Sequence, residues 1–237
     1  RVAEYVREAL SRIGLDARLV GSAGRTSVIA EARAGAQAET LLVASHLDTV
    51  PVDGMEIDPF DPVIRDGRLY GRGSCDTKSG MAALLEALER VLARGTLKRN
   101  VIVVGESDEE YRSAGAYDVL ADLGARKPDW AIATEPTGLR LIHAHKGVVH
   151  ARVRAQGRAC HSSDPTAGRN AIVLLARAIL AIESSAQVFF ERPHPDLGAA
   201  MVLMGVVRGG LAHNIVPGEA WVWVDRCTPA GETPEAV

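Results

Sequence analysis

The chain is short of several things. Its 237 residues include only three cysteines, Cys75, Cys160 and Cys227, an odd number without paired spacing, which speaks against a disulfide framework and a thiolate zinc cluster. A reducing, cytoplasmic setting is expected. No Lys/Arg block forms a basic stripe, and the formal net charge is −3, which argues against a nucleic-acid partner or an anionic membrane surface. No apolar run is expected to approach the roughly 20 residues that cross a bilayer, and nothing at the N-terminus has the order of a signal peptide. The sequence opens at Arg1, inside an amphipathic helical pattern of Val2, Tyr5, Val6, Ala9, Leu10 and Ile13, and is read as a processed or partial chain. Internal repeats and low-complexity segments are also missing.

What is present fits a globular protein of one large or two smaller domains: 47% hydrophobic, 24% charged and 4% aromatic residues. From residue 1 to about 146, helical and strand signals alternate. A first helix ends at Gly14, strands follow near 17–19, 27–32 and 41–45, and a long helix after Asp76 carries Met81, Leu84, Leu85, Leu88, Val91 and Leu92 on one face, with Gly95 as its stop. Strand 101–104, a helix over 114–123 and strand 130–133 complete the region. This rhythm predicts an α/β fold, a mixed and mostly parallel sheet sandwiched by helices.

From Gly147 the rhythm changes to a strand (148–155), a helix (169–183) and strands at 201–207 and 220–225. The last alternates Trp221 and Trp223 with Val222 and Val224, so one face is buried. A small α+β domain over 147–237 is expected, incomplete, with Pro234–Val237 as the first turn of an unfinished helix.

Three apolar runs end in acid or imidazole groups: LLVASHLD (41–48), VIVVGESDEE (101–110) and WAIATEP (130–136). Open α/β sheets build their ligand sites at the carboxyl ends of such strands. His46 and Asp48, two apart on an extended segment, point the same way, so the carboxylate is expected to accept the imidazole's second N–H. Asp76 either caps the following helix, a role Thr77 could take instead, or bridges two cations about 3.5–4 Å apart. Glu109 and Glu110 are adjacent, and like charges so close suit a division of labour: Glu110 as ligand, Glu109 as general base. Asp108 is read as a solvated loop acid. Pro136 holds Glu135 in the extended region. One histidine with three carboxylates fits zinc, cobalt or manganese better than calcium.

The segments SHLDTVPVDG (45–54), GRGSCDTKSGMAALLEAL (71–88), SDEE (107–110), EPTGLRLIHAHKG (135–147) and HNIVPGEAWVWVDR (213–226) closely resemble the co-catalytic zinc exopeptidases that include acetylornithine deacetylase, succinyl-diaminopimelate desuccinylase and the bacterial glutamate carboxypeptidases. The resemblance covers nearly the whole chain in the right order. It implies a metal-binding catalytic domain (1–146) and an inserted lid or dimerisation domain (147–237), hence a homodimer. It implies two divalent metal ions, Zn²⁺ foremost with Co²⁺ as the alternative: His46 and Glu135 on one, Glu110 on the other and Asp76 bridging. It further implies Glu109 as base, Asp48 orienting the histidine, and a cis peptide at Asp76–Thr77. His161 would polarise the scissile carbonyl in a neighbouring subunit, and Asn214 and Arg226 would hold the substrate, Arg226 through a carboxylate.

The family's last histidine ligand, beyond the lid, has no counterpart here, since His143, His145, His150, His194 and His213 occupy other positions. Truncation rather than natural loss is the expected reason. The implied function is amide-bond hydrolysis of an N-acyl amino acid or small peptide. The alternative is a truncated or inactive homologue that binds such a ligand without turnover. A cysteine hydrolase using Cys75 is the weaker reading, because only Arg72 or Lys78 offers a thiolate-stabilising charge.

Overall fold

A computed structural model of the chain describes residues 1–191, 193–229 and 231–233. The helical turn expected at Pro234–Val237 lies outside the described residues. The chain divides into two compact units, Arg1–Arg140 and Leu141–Val237.

In the first unit, helix α1 (Val2–Arg12) buries Ala3, Val6 and Leu10, the stripe that a 3.6-residue period brings to one side. It stops where Gly14 takes φ +87°, letting Leu15 N–H reach the Leu10 carbonyl. Strands β1 (Ala17–Ser22), β2 (Arg25–Ala32) and β3 (Thr40–His46) follow. A hairpin of β4 (Val63–Arg65) and β5 (Arg68–Tyr70) comes next, turning on Asp66-Gly67, both at positive φ. Helix α2 (Lys78–Ala93) ends at Gly95, the expected stop, again with positive φ and with Thr96 N–H bonded to the Val91 carbonyl. Strand β6 (Asn100–Glu106), helix α3 (Ala114–Leu123) and strand β7 (Trp130–Ala133) complete the unit.

The five-stranded sheet has the order β1-β2-β6-β3-β7. The β3–β6 and β3–β7 pairs are parallel, whereas β1–β2 and β2–β6 are antiparallel. Alternate residues of β2 and β6 feed two cores, as a two-faced sheet requires. Val28, Ala30, Val101 and Val103 pack with Leu10, Met81 and Leu88, while Ile29, Ile102 and Val104 pack with Val119 and Leu123. Both faces are helix-covered, which is the mixed α/β sandwich expected from the rhythm.

The second unit contains β8 (Gly147–Gln156), β9 (Cys160–His161), a 3-10 turn at Pro165–Ala167, helix α4 (Ala171–Phe190), β10 (Met201–Gly209), β11 (Ile215–Val216) and β12 (Glu219–Thr228). An antiparallel sheet runs β10-β12-β8, and β9 and β11 form a separate ladder. Ala220, Val222 and Val224 face Ala171 and Leu175 of α4. Trp221 and Trp223 lie on the opposite face, each ring 5.8 Å from the Arg152 guanidinium carbon, a cation–π geometry.

Helix α4 corrects one expectation. Its stretch Ala171–Val188 has mean hydropathy 1.6 and is, by length and composition only, long enough to cross a membrane. One side covers the sheet; the other leaves Ile172, Val173, Leu180 and Val188 exposed. The helix also runs past Glu183, because Ser185 turns its hydroxyl back onto the Ala181 carbonyl (2.8 Å) instead of breaking the ladder.

Candidate metal centre

The site of the first unit is built at the carboxyl ends of β3, β6 and β7. His46 closes β3 opposite Glu106 in the parallel register and is 2% exposed. Its Nδ1 is 3.1 Å from the Asp48 backbone oxygen. That contact fixes the ring and points Nε2 at Asp76 Oδ1, 2.9 Å away, with Glu135 Oε1 at 3.9 Å.

The Asp48 carboxylate is placed differently from expectation. Its Oδ1 lies 3.7 Å from His46 Nδ1, beyond hydrogen-bond reach. The two oxygens instead accept the backbone N–H groups of Glu109 (3.2 Å) and Glu110 (3.1 Å). Two converging amides offer two donors to two oxygens, a better match than one imidazole N–H. Asp48 thereby holds the loop that carries Glu109 and Glu110 against the end of β3. Asp108 supports the same loop at φ +64°, where its carbonyl accepts Ser113 N–H at 2.7 Å, a left-handed turn that aspartate tolerates.

Asp76 precedes α2, and the Asp76–Thr77 peptide is cis, as the resemblance implies. Thr77 is the N-cap residue of α2, yet its side chain makes no capping bond. Its hydroxyl donates to the Thr134 carbonyl, while its own carbonyl accepts Ser45 Oγ at 3.3 Å. Thr77 is fully buried and so ties the start of α2 to the ends of β3 and β7. Gly80 allows this approach, since a Cβ there would stand 2.4 Å from Thr134 Oγ1. Sequence reasoning passed over Ser45 and Thr134 and read Thr77 only as an alternative helix cap, since small polar residues signal little until their neighbours are known.

His46, Asp76 and Glu110 each offer a ligand atom, and these atoms all lie within 4.8 Å of one another. One imidazole and two carboxylates converging on a common point suit a borderline divalent cation. Electrostatics agree with a crowded anionic site. Burial raises the Glu109 carboxyl above its ordinary range, and the charges of Glu135, Glu110 and Glu106 add to this against the pull of His46. Glu135 and Glu106 are raised mainly by burial too. For His46, burial works against the proton, but the Asp76 hydrogen bond and the charges of Glu135 and Glu109 outweigh it and raise the imidazole. A cation would relieve this repulsion. Burial lowers the Lys78 ammonium despite Asp48 and Asp76.

In the second unit, His161 lies in the β9–β11 ladder opposite Ile215, its Nδ1 2.9 Å from Ser163 Oγ. The Asn214 carbonyl accepts Ser162 N–H at 3.0 Å, so Asn214 lies beside the segment that carries His161. Arg226 is not an open rim charge. It sits on β12, 8% exposed, and its Nη2 lies 2.5 Å from Glu232 Oε2, because the alternation that buries Val222 and Val224 also turns residue 226 inward.

A mixed α/β sheet thus gathers an imidazole and carboxylates at its parallel strand ends, a set that could hold a divalent cation. Residues 42–218 match the family model described as Peptidase family M20/M25/M40, and the chain belongs to that family. Among curated relatives it is 37% identical over 193 residues to an acetylornithine deacetylase of Erwinia tasmaniensis, and 39% identical over 193 residues to one of Klebsiella pneumoniae. Each match takes in 77% of this chain and 49% of the relative, so the chain spans about half the length of these relatives. In fold it is similar to an M20 family metallo-carboxypeptidase of Sulfolobus solfataricus (TM-score 0.78, 21% identity, 98% of this chain and 67% of that one). A di-peptidase of Saccharomyces cerevisiae is similar as well (TM-score 0.75, 15% identity, 98% and 65%).

Proposed function

We propose that the chain carries the metal site of a hydrolase that cleaves the amide bond of an N-acyl amino acid or small peptide. The observation that carries this reading is the convergence of His46, Asp76 and Glu110 at parallel strand ends, with Glu109 held beside them by Asp48. His46 and Glu135 would hold one divalent cation and Glu110 a second, with Asp76 shared; zinc is the first choice and cobalt the alternative. Bound cations would supply Lewis-acid polarisation and a water of lowered pKa.

The remaining work falls to this chain's side chains. Glu109, with its proton affinity raised by burial, takes a proton from the attacking water and delivers it to the leaving amine. Asp48 positions Glu109 and Glu110 through their amides. His161, with its Nδ1 side engaged by Ser163, has Nε2 left to donate to a developing oxyanion in a neighbouring subunit. Asn214 and Arg226 hold the substrate, and Arg226 would have to exchange Glu232 for the substrate carboxylate. The exposed apolar side of α4 supplies a surface for the homodimer. Reduced cysteines fit a cytoplasmic setting; all three carry free thiols.

The deciding experiment is a Zn²⁺- or Co²⁺-supplemented activity screen of the full-length protein over N-acetyl, N-succinyl and N-glutamyl amino acids and dipeptides. Turnover abolished by chelator and restored by metal supports the reading. Absence of turnover alongside tight substrate binding would establish the non-catalytic alternative. Glu109→Gln is expected to remove turnover and retain metal; loss of metal instead would mean the roles of Glu109 and Glu110 are exchanged.

A further inference from the structure

The opposite end of the same sheet holds a cavity of about 430 Å³, within the usual size range of small-molecule sites, roughly 300–1,000 Å³. It lies where β3 and β6 begin, at Thr40 and Asn100, whereas the His46 cluster lies where they end. Six residue steps of β3 separate the two, about 20 Å at the ordinary strand rise. The metal chemistry therefore makes no use of it.

The walls have two characters. Ile102 and Pro128 supply apolar surface, and Arg33, Arg126 and Lys127 supply three cations against the carboxylate of Glu31, while Asp122, off the lining, has its Oδ2 3.7 Å from Arg126 Nη2. Glu31 does not merely cancel them. It binds Arg33 Nη2 at 3.1 Å and also takes Arg126 Nη1, so one acid brings two guanidiniums to the same wall. A guanidinium carries five N–H donors, and Arg33 spends one of them on Glu31. The rim is equally well built. Asn100 Oδ1 accepts the Ala34 and Gly35 amides, and its Nδ2 donates to the Gly35 and Ala38 carbonyls, stapling the turn that closes one side. Arg126, bonded both to Glu31 and to the Leu123 carbonyl, costs little to reorganise when an anion arrives, while Arg33 keeps most of its side chain in solvent.

We propose that this cavity binds a small organic oxyanion, a carboxylate or phosphate head held by Arg33, Arg126 and Lys127 with its apolar body against Ile102 and Pro128. Paired guanidiniums match the planar, multi-oxygen geometry of such heads. The site is independent of the proposed catalysis and stands or falls separately from it.

The test is titration of the full-length protein with succinate and, separately, with inorganic phosphate, read by calorimetry and by the methyl resonances of Ile102. The two arms distinguish the head groups. Saturable binding of either probe is expected, with the Ile102 methyl signals shifting, and with affinity reduced at least about ten-fold in Arg33→Gln and in Lys127→Gln. The His46→Ala protein should bind the same probe unchanged, which separates this cavity from the metal centre. Because Arg33→Gln leaves Glu31 its Arg126 partner, the variant should keep the wild-type melting temperature. No saturable binding of either probe would overturn the proposal. So would binding that survives both cavity substitutions or disappears in His46→Ala.

Discussion

The carboxylate of Asp48 accepts the backbone N–H of Glu110 at 3.1 Å, joining the end of one strand to the loop after its parallel neighbour. The same carboxylate takes the Glu109 amide, so a side chain expected to steer an imidazole steers a loop.

Removing that carboxylate should therefore act on the loop. Asp48→Ala is expected to lower metal affinity or turnover by about 10- to 100-fold, the usual effect of losing a group that positions ligands. Asp48→Asn, which keeps one acceptor oxygen, should lie between it and the native protein. Zn²⁺ competition against a chromophoric chelator would measure the first effect and steady-state kinetics the second.

Metal uptake should release protons. The His46 imidazole is raised above its ordinary value, so below that raised value it is largely protonated, and a ligand nitrogen must give up its proton. Affinity for Zn²⁺ is expected to fall as pH falls through this range. Calorimetry in two buffers of different ionisation enthalpy reads the proton count directly, and His46→Ala should reduce it.

Gly115 opens a close approach between α3 and the loop. A Cβ there would stand 2.0 Å from the Ser107 carbonyl oxygen, and backbone cannot yield as a flexible side chain does. Gly115→Ala should cost about 1–3 kcal/mol, in the range of overpacking. Gly35→Ala, with nothing within 4 Å, should change the denaturation midpoint little.

Acid should loosen the first unit at one surface. The Arg18 hydrogen bond lowers the Asp122 carboxyl. Burial pushes Glu31 up, but Arg126 and Arg33 outweigh it and hold that carboxyl low as well. Both groups bind protons more weakly folded than unfolded, so their contribution is present above the unfolded values, about 4, and is lost as pH falls through the lower folded values. The pairs are partly exposed, which keeps the effect small. Arg18→Gln is expected to flatten the acid side of the melting-temperature profile.

Strands with strong patterning were legible beforehand. The apolar runs of β3 and β6 and the Val/Trp alternation of β12 announce themselves, because burial on one or two faces demands those residues. The β4–β5 hairpin was not read, although Asp66-Gly67 marks its turn, since two exposed three-residue strands leave no alternation to detect. The last turns of α4, beyond Glu183, were not read; there Ser185 bonds back to the Ala181 carbonyl within the helix. At the metal centre, His46, Asp76 and Glu110 could be chosen from residue type and position. The hydroxyl of Thr77 on Thr134 and the amides on Asp48 could not.

By itself the sequence determined which residues are candidates for chemistry and at which strand ends they stand, because residue type and hydrophobic period are local properties. Only the tertiary structure decided which donor meets which acceptor. Asp48 turns to two amides rather than to His46, Arg226 turns inward to Glu232, and Arg126 reaches Glu31 at the far end of the sheet. Each of these depends on bringing groups within about 3 Å, the range in which hydrogen bonds and ion pairs choose their partners, and for Asp48 and Glu31 the groups come from distant segments.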